Sequence, residues 1–247
     1  MDIDIDYGKY SAEQAQKIKN FIDYLTSYTK QNGIKLLIVN TPGVPYAVGS
    51  GMLVNGYFDD ATSTLACATG KDITQWLPVL IHESSHMDQF LEQVSAWTEN
   101  LDLKETDKWL EGDNNVDMER VSNEIKTGIQ VELDCEKRTV EKIKKWGLEF
   151  VVSINEYIQK ANAYILFYNW MKENRRWYEI GYEPYNIPDI VSQMPKSFDT
   201  DYSKLTDELR QVFDKLKTFP NKSNELKEDL KRFKSLINYN LKQGNIL

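Results

Sequence analysis

Residues 80–90 read Leu-Ile-His-Glu-Ser-Ser-His-Met-Asp-Gln-Phe, and His82, Glu83 and His86 stand out among them for their types and spacing. On a helix, residues four apart share one face, one turn above each other, so both imidazoles can turn a ring nitrogen to a single metal ion. Zinc favours nitrogen ligands of this kind in a tetrahedral arrangement. Glu83 follows His82 by one residue and points off the ligand axis. From there it can reach a water on the metal, which is the geometry a metal-assisted hydrolase needs. The three fixed residues arise by accident in a chain of this length at a rate on the order of 1%. The chain has only two histidines, and both fall in this motif. Two plainer readings stand beside the catalytic one: an ordinary helix with two histidines and a glutamate, and a zinc site that holds structure without catalysis, which uses the same ligand types.

A catalytic zinc keeps three protein ligands and one open position. The third cannot be histidine, because none remains, and no cysteine follows the motif closely. A carboxylate from another helix must serve. The best stretch is Gln130-Val131-Glu132-Leu133-Asp134-Cys135-Glu136-Lys137-Arg138-Thr139. Glu132 and Glu136 are four apart and share a helical face. A metal there would neutralise the first, and the second could hydrogen-bond a ligand histidine and fix its tautomer. Glu136, Asp134 and Glu141 remain alternative ligands.

With both stretches in view, His82-Glu83-Ser84-Ser85-His86 followed by Glu132-Leu133-Asp134-Cys135-Glu136 resembles the gluzincin class of zinc metallopeptidases. The likeness is closest to small members with a Glu-x-x-Ala-Asp/Asn helix after the two-histidine helix. It implies Glu132 as third ligand and Glu136 as the acid behind a ligand histidine. Cys135 stands where the class has Ala, a small residue for close helix packing. The sequence departs at Glu136, where the class has Asp or Asn, so Glu136 itself stays a candidate ligand. The likeness covers roughly residues 34–145. It also implies an edge strand just before the motif helix, a place taken by residues 63–69, to which an extended peptide could add as a strand. The implied activity is hydrolysis of a peptide bond by a metal-activated water, with Glu83 as general base. An oxyanion donor is also needed. With no histidine left, a Tyr or Arg must supply it, and the run at 175–185 offers Tyr178 or Tyr182 first. The rivals are a non-catalytic zinc-binding or protein-interaction protein with a peptidase-like fold, and a metal-free helical module whose charged C-terminal helices bind a partner.

The elements that must position these residues read as α+β. Residues 11–31 form an amphipathic helix, with Ser11 and Gln14 as a capping box and Asn32-Gly33 as the stop. Strands follow at 34–39, 46–54, 56–58 and 63–69, with Asn55-Gly56 as a tight hairpin turn. The motif helix runs from Asp72 to about Ala96, with Pro78 near its start. A short polar helix precedes a long helix over 116–146, ended by Gly147. Residues 155–172 form a helix aromatic on one face, and 176–200 are irregular. This order predicts a small N-terminal antiparallel or mixed sheet packed on a mainly helical, zincin-like core over 1–200. Residues 201–247 form a helical extension with a break at Pro220.

The chain has 247 residues, with 30 Lys plus Arg against 38 Asp plus Glu, a formal net charge of −8. An acidic surface without a basic stripe argues against nucleic acid as partner. No apolar run reaches the ~18 residues a membrane helix needs. The acidic N-terminus lacks the marks of a signal peptide, which points to the cytoplasm. Two cysteines, Cys67 and Cys135, make no disulfide framework.

Overall fold

Ser11 opens the first helix as the sequence predicts: its Oγ accepts from the Gln14 N–H at 3.2 Å, and Gln14 Oε1 accepts from the Ser11 N–H at 2.9 Å. In the computed structural model, which describes residues 7, 9–45, 53–98, 103–179 and 181–218, the order is α1 (Ala12–Gln31), β1 (Lys35–Val39), β2 (Val44–Pro45), β3 (Leu53–Val54), β4 (Gly56–Asp59), β5 (Thr64–Ala68) and α2 (Ile73–Leu91). It continues with α3 (Ser95–Thr98), α4 (Lys104–Leu110), α5 (Met118–Trp146), α6 (Ile154–Asn174), a 3-10 turn (Pro184–Asn186), α7 (Pro188–Val191) and α8 (Asp207–Phe213). The architecture is α+β, a small mixed sheet with mostly helical structure around it. Residues 46–52 of the expected second strand, and Pro220 with the chain after it, lie outside the described residues.

Among the described residues the chain forms two units. One runs to Glu92 and resumes over Arg138–Ser153; the other takes Gln93–Lys137 and continues from Ile154. The helix α5 is continuous and belongs in part to each.

In the first unit the sheet order is β1-β5-β4, with β1 parallel and β4 antiparallel to β5. Two expectations change here. The strand at 63–69 is not an edge: β5 is central and buried along its whole length, and β4 is the edge. Leu65, Ala66, Cys67 and Ala68 form an uninterrupted run of small and apolar residues, as a strand covered on both faces requires. Asn55-Gly56 is not a hairpin turn either, because β3 pairs with β2 while β4 pairs with β5. Asn55 is instead the step from one sheet to the other. Gly56 is needed there for room. A Cβ on it would stand 2.8 Å from Val79 Cγ1 and 2.9 Å from the Ala66 carbonyl oxygen, so any side chain would push α2 off the sheet.

The helix α2 packs on β4 and β5. Asp72 caps it, accepting from the Thr74 N–H at 2.9 Å. Trp76, Leu77, Leu80, Ile81 and Met87 are buried, each such side chain contributing about 1.5–3 kcal/mol. The helix stops at Leu91, short of the expected Ala96, because Gln93 turns left-handed at φ 54°. The last turns of α5 lie along α2. Thr139 Oγ1 donates to Ser85 Oγ at 3.1 Å, Lys142 Nζ reaches Ser84 Oγ and Asp88 Oδ2 at 2.8 Å each, and Arg138 pairs with Glu92 at 2.7 Å. Trp146 packs edge-on to Phe21 of α1, and Gly147, at φ 61°, ends the helix.

The second unit is built around α6. The expected single aromatic face is too narrow a description, because every residue over 161–171 except Tyr164 is buried. Its polar members hold the irregular chain that follows. Asn162 Nδ2 donates to the carbonyls of Pro195 and Ser197 at 2.8 and 3.0 Å, and Asn169 Nδ2 to that of Tyr202 at 2.9 Å. These bonds satisfy carbonyls that no helix or sheet would pair. No helix among the described residues is long and apolar enough to cross a membrane.

Candidate metal centre

The middle of α2 carries His82, Glu83 and His86. The two imidazoles lie with centroids 4.7 Å apart and planes nearly perpendicular. His86 is 9% exposed, and its Nδ1 lies 2.8 Å from Oε1 of the fully buried Gln89. A carbonyl oxygen at this distance suits the imidazole tautomer with its proton on Nδ1. Gln89, one turn along the same helix, is thus a partner of the His86 ring.

Glu83 turns towards the sheet, and its Oε2 accepts the Phe58 N–H at 3.1 Å. The cause lies in the strand register. The Ala68 N–H bonds to the Asn55 carbonyl at 2.8 Å, and Tyr57 stands opposite Ala66. Antiparallel pairing alternates, so Gly56 and Phe58 point their backbone groups away from β5, to the outer edge. Glu83 takes the Phe58 group there.

On α5, Cys135 and Thr139 are four apart and share one face of the helix. Two groups of ligand atoms converge, each with all its members within 4.8 Å of one another: His82, His86 and Cys135, and His82, Glu132 and Glu136. The expected ligands His82, His86 and Glu132 are thus distributed over two groups that share His82. Cys135 is fully buried and Glu136 is 6% exposed. Two imidazoles, a thiol and two carboxylates are donors that fit zinc.

Glu136 Oε2 accepts a hydrogen bond from the Tyr157 hydroxyl of α6. Two more tyrosines of α6 feel Glu132. Burial, with the Glu132 carboxylate as the next cause, holds the Tyr168 phenol well above its ordinary value. Tyr164 is raised by burial, by Tyr168 and by Glu132, and the two hydroxyls lie 3.1 Å apart. The two expected oxyanion donors part company. Tyr178 is raised by burial and then by Tyr185 and Tyr168. Tyr182 is 36% exposed and accepts from Lys217 Nζ at 2.8 Å.

Sequence reasoning missed Cys135, Gln89, Tyr157, Tyr164 and Tyr168. Gln89 was within reach, lying three residues after His86 and so on its face. Cys135 lay inside the stretch singled out for its acids and was read as a spacer. The other cysteine, Cys67, is the packing residue the composition suggests: burial, aided by Glu83, pushes its thiol up to about 12.

No protein-family model matches this sequence, no curated protein matches it, and no solved structure matches its fold. The functional reading therefore stands on the side chains of α2 and α5.

Proposed function

We propose that the chain is a zinc-dependent peptidase, with the metal held by His82, His86 and Glu132 and with Glu83 as general base. The observation that carries this reading is Glu83 itself. It sits on the same helix as the paired imidazoles, with one carboxylate oxygen tied to the edge strand. Bound zinc would supply a Lewis acid that polarises a carbonyl and makes a water acidic enough to give up its proton near neutral pH. Glu83 Oε1, the oxygen that the Phe58 N–H leaves open, takes that proton as the water attacks the peptide carbonyl. The same oxygen returns it to the leaving amine nitrogen, so Glu83 ends as it began. The outward N–H and C=O of Gly56 offer an extended peptide a place to add to β4. Tyr178, or the pair Tyr164 and Tyr168 that feels Glu132, would donate to the oxyanion. A cytoplasmic setting would keep both thiols reduced.

The test is Glu83→Gln, assayed on an unstructured protein substrate beside a zinc determination. Hydrolysis should fall by about 10²–10⁴-fold while zinc stays bound. Hydrolysis that survives the change would remove Glu83 from the mechanism.

A second reading has one observation in its favour. Cys135 falls in a group with the two histidines, and thiolates are the common ligands of closed structural zinc sites. A protein of that kind would bind zinc, hydrolyse nothing and unfold when the metal is removed.

A further inference from the structure

We infer that Glu83 latches the edge of the sheet, so that an extended peptide seated on β4 is what frees the base. This rests on the proposed function for the occupant of that edge, a peptide substrate. Three observations converge, all on α2 and the strands beneath it. Glu83 Oε2 accepts the Phe58 N–H at 3.1 Å. The register of β4 on β5 turns that N–H away from β5, and β4 is the edge of its sheet among the described residues. The stem of Glu83 passes over Gly56, where a Cβ would stand 3.3 Å from Glu83 Cγ. A carboxylate oxygen thus takes the place that a carbonyl of an added strand would take.

A strand added to β4 pairs through the outward groups of Gly56 and Phe58, the alternate positions that face away from β5. To complete the pair at Phe58, the incoming carbonyl must take the N–H from Glu83. One hydrogen bond on Phe58 replaces another, and the displaced carboxylate oxygen is released. The strand end of the latch is fixed, because the Phe58 ring packs against that of Phe90 of α2 with centroids 5.5 Å apart. The side chain of Glu83 is the part that yields. Once released, both its oxygens serve proton transfer, whereas in the free chain one is held. The specificity that follows is for length and extension. An unstructured segment that runs along β4 past Phe58 opens the latch. A dipeptide is too short to pair along the strand and leaves it closed.

The test measures binding of a fluorescent, reduced and carboxymethylated lactalbumin, an unstructured probe, to full-length protein kept metal-free. Glu83→Ala removes the acceptor and should bind the probe about 5–30-fold more tightly than wild type. Glu83→Asp, one methylene too short to reach the strand, should gain likewise while keeping the charge. Glu83→Gln loses the charge but keeps an acceptor oxygen, and should bind as wild type does. Hydrogen exchange at the Phe58 amide should be slow in wild type, fast in Glu83→Ala and slow again with the probe, at unchanged helical circular dichroism. Equal binding by Glu83→Ala and wild type, or a gain shared by Glu83→Gln, overturns the inference, and a wild type that still hydrolyses the probe with zinc then leaves the peptidase reading standing. The expected gains in a protein that hydrolyses nothing with zinc keep the latch and sink the peptidase reading. A probe that binds none of the four proteins overturns the strand site on β4 and the latch with it.

Discussion

On α2, the functional side chains are held from close at hand: His86 by Gln89, three residues along the same helix, and Glu83 by a backbone N–H of the edge strand beneath it. On α5, the acids depend on phenols from α6. Tyr157 donates to Glu136, and Tyr164 and Tyr168 feel the charge of Glu132. The first arrangement is fixed by helix periodicity and strand register, the second by how one helix packs on another. The proposed centre would thus draw on an α2 half set by local geometry, the rigid half, and an α5 half set by packing on α6.

Substitutions can break that contrast. His82 belongs to both groups of converging donors, so His82→Ala should cause the largest loss of metal affinity, ahead of His86→Ala or Glu132→Ala. Competition with a chelator would rank the three, and an equal loss from Glu132→Ala would put the weight on α5. Gln89→Ala should weaken metal binding by about 10–100-fold, as outer partners of ligand histidines do. Tyr157→Phe should cost less, because a carboxylate that loses one donor can still bind. If Tyr157→Phe proved the more damaging, the contrast between the two halves would be reversed. Gly56→Ala should destabilise the protein by about 1–3 kcal/mol through overpacking against Val79 and Ala66. Thermal unfolding would measure this, and an unchanged midpoint would mean that α2 is not tightly seated on the sheet.

The smallest effect lies at alkaline pH. Tyr164, Tyr168 and Tyr178 all have folded-state values above the ordinary phenol value. The contribution of these protonated phenols to stability is complete below about pH 10 and is lost as pH rises beyond it. Urea titrations from pH 8 to 11 should show stability declining only at the upper end. Tyr178→Phe should make that decline shallower, whereas a variant as steep as wild type would show that Tyr178 is ionised alike in both states.

Much of the rigid half could be read in the sequence. The four-residue spacing of His82 and His86, the apolar periodicity of Leu77, Leu80 and Ile81 and the capping box at Ser11 are local patterns, and local geometry decides them. The strand order could not be read, because pairing partners are set by contacts distant in sequence. The resemblance implies an edge strand at 63–69, whereas the unbroken run of small and apolar side chains from Leu65 to Ala68 suits the central strand it forms. Cys135 is hidden for the same reason: it lies far from the motif along the chain, and only folding groups it with the two histidines. The tyrosines of α6 carry no motif, and only the fold brings them to the acids of α5.

The most direct test is elemental analysis of zinc in tag-free wild type and in a variant without the α5 donors, Glu132→Ala with Cys135→Ala and Glu136→Ala. A centre shared by α2 and α5 predicts about one zinc per chain in the wild type and almost none in the variant. A wild type that holds no zinc even after addition, or a variant that keeps its full complement, would contradict it.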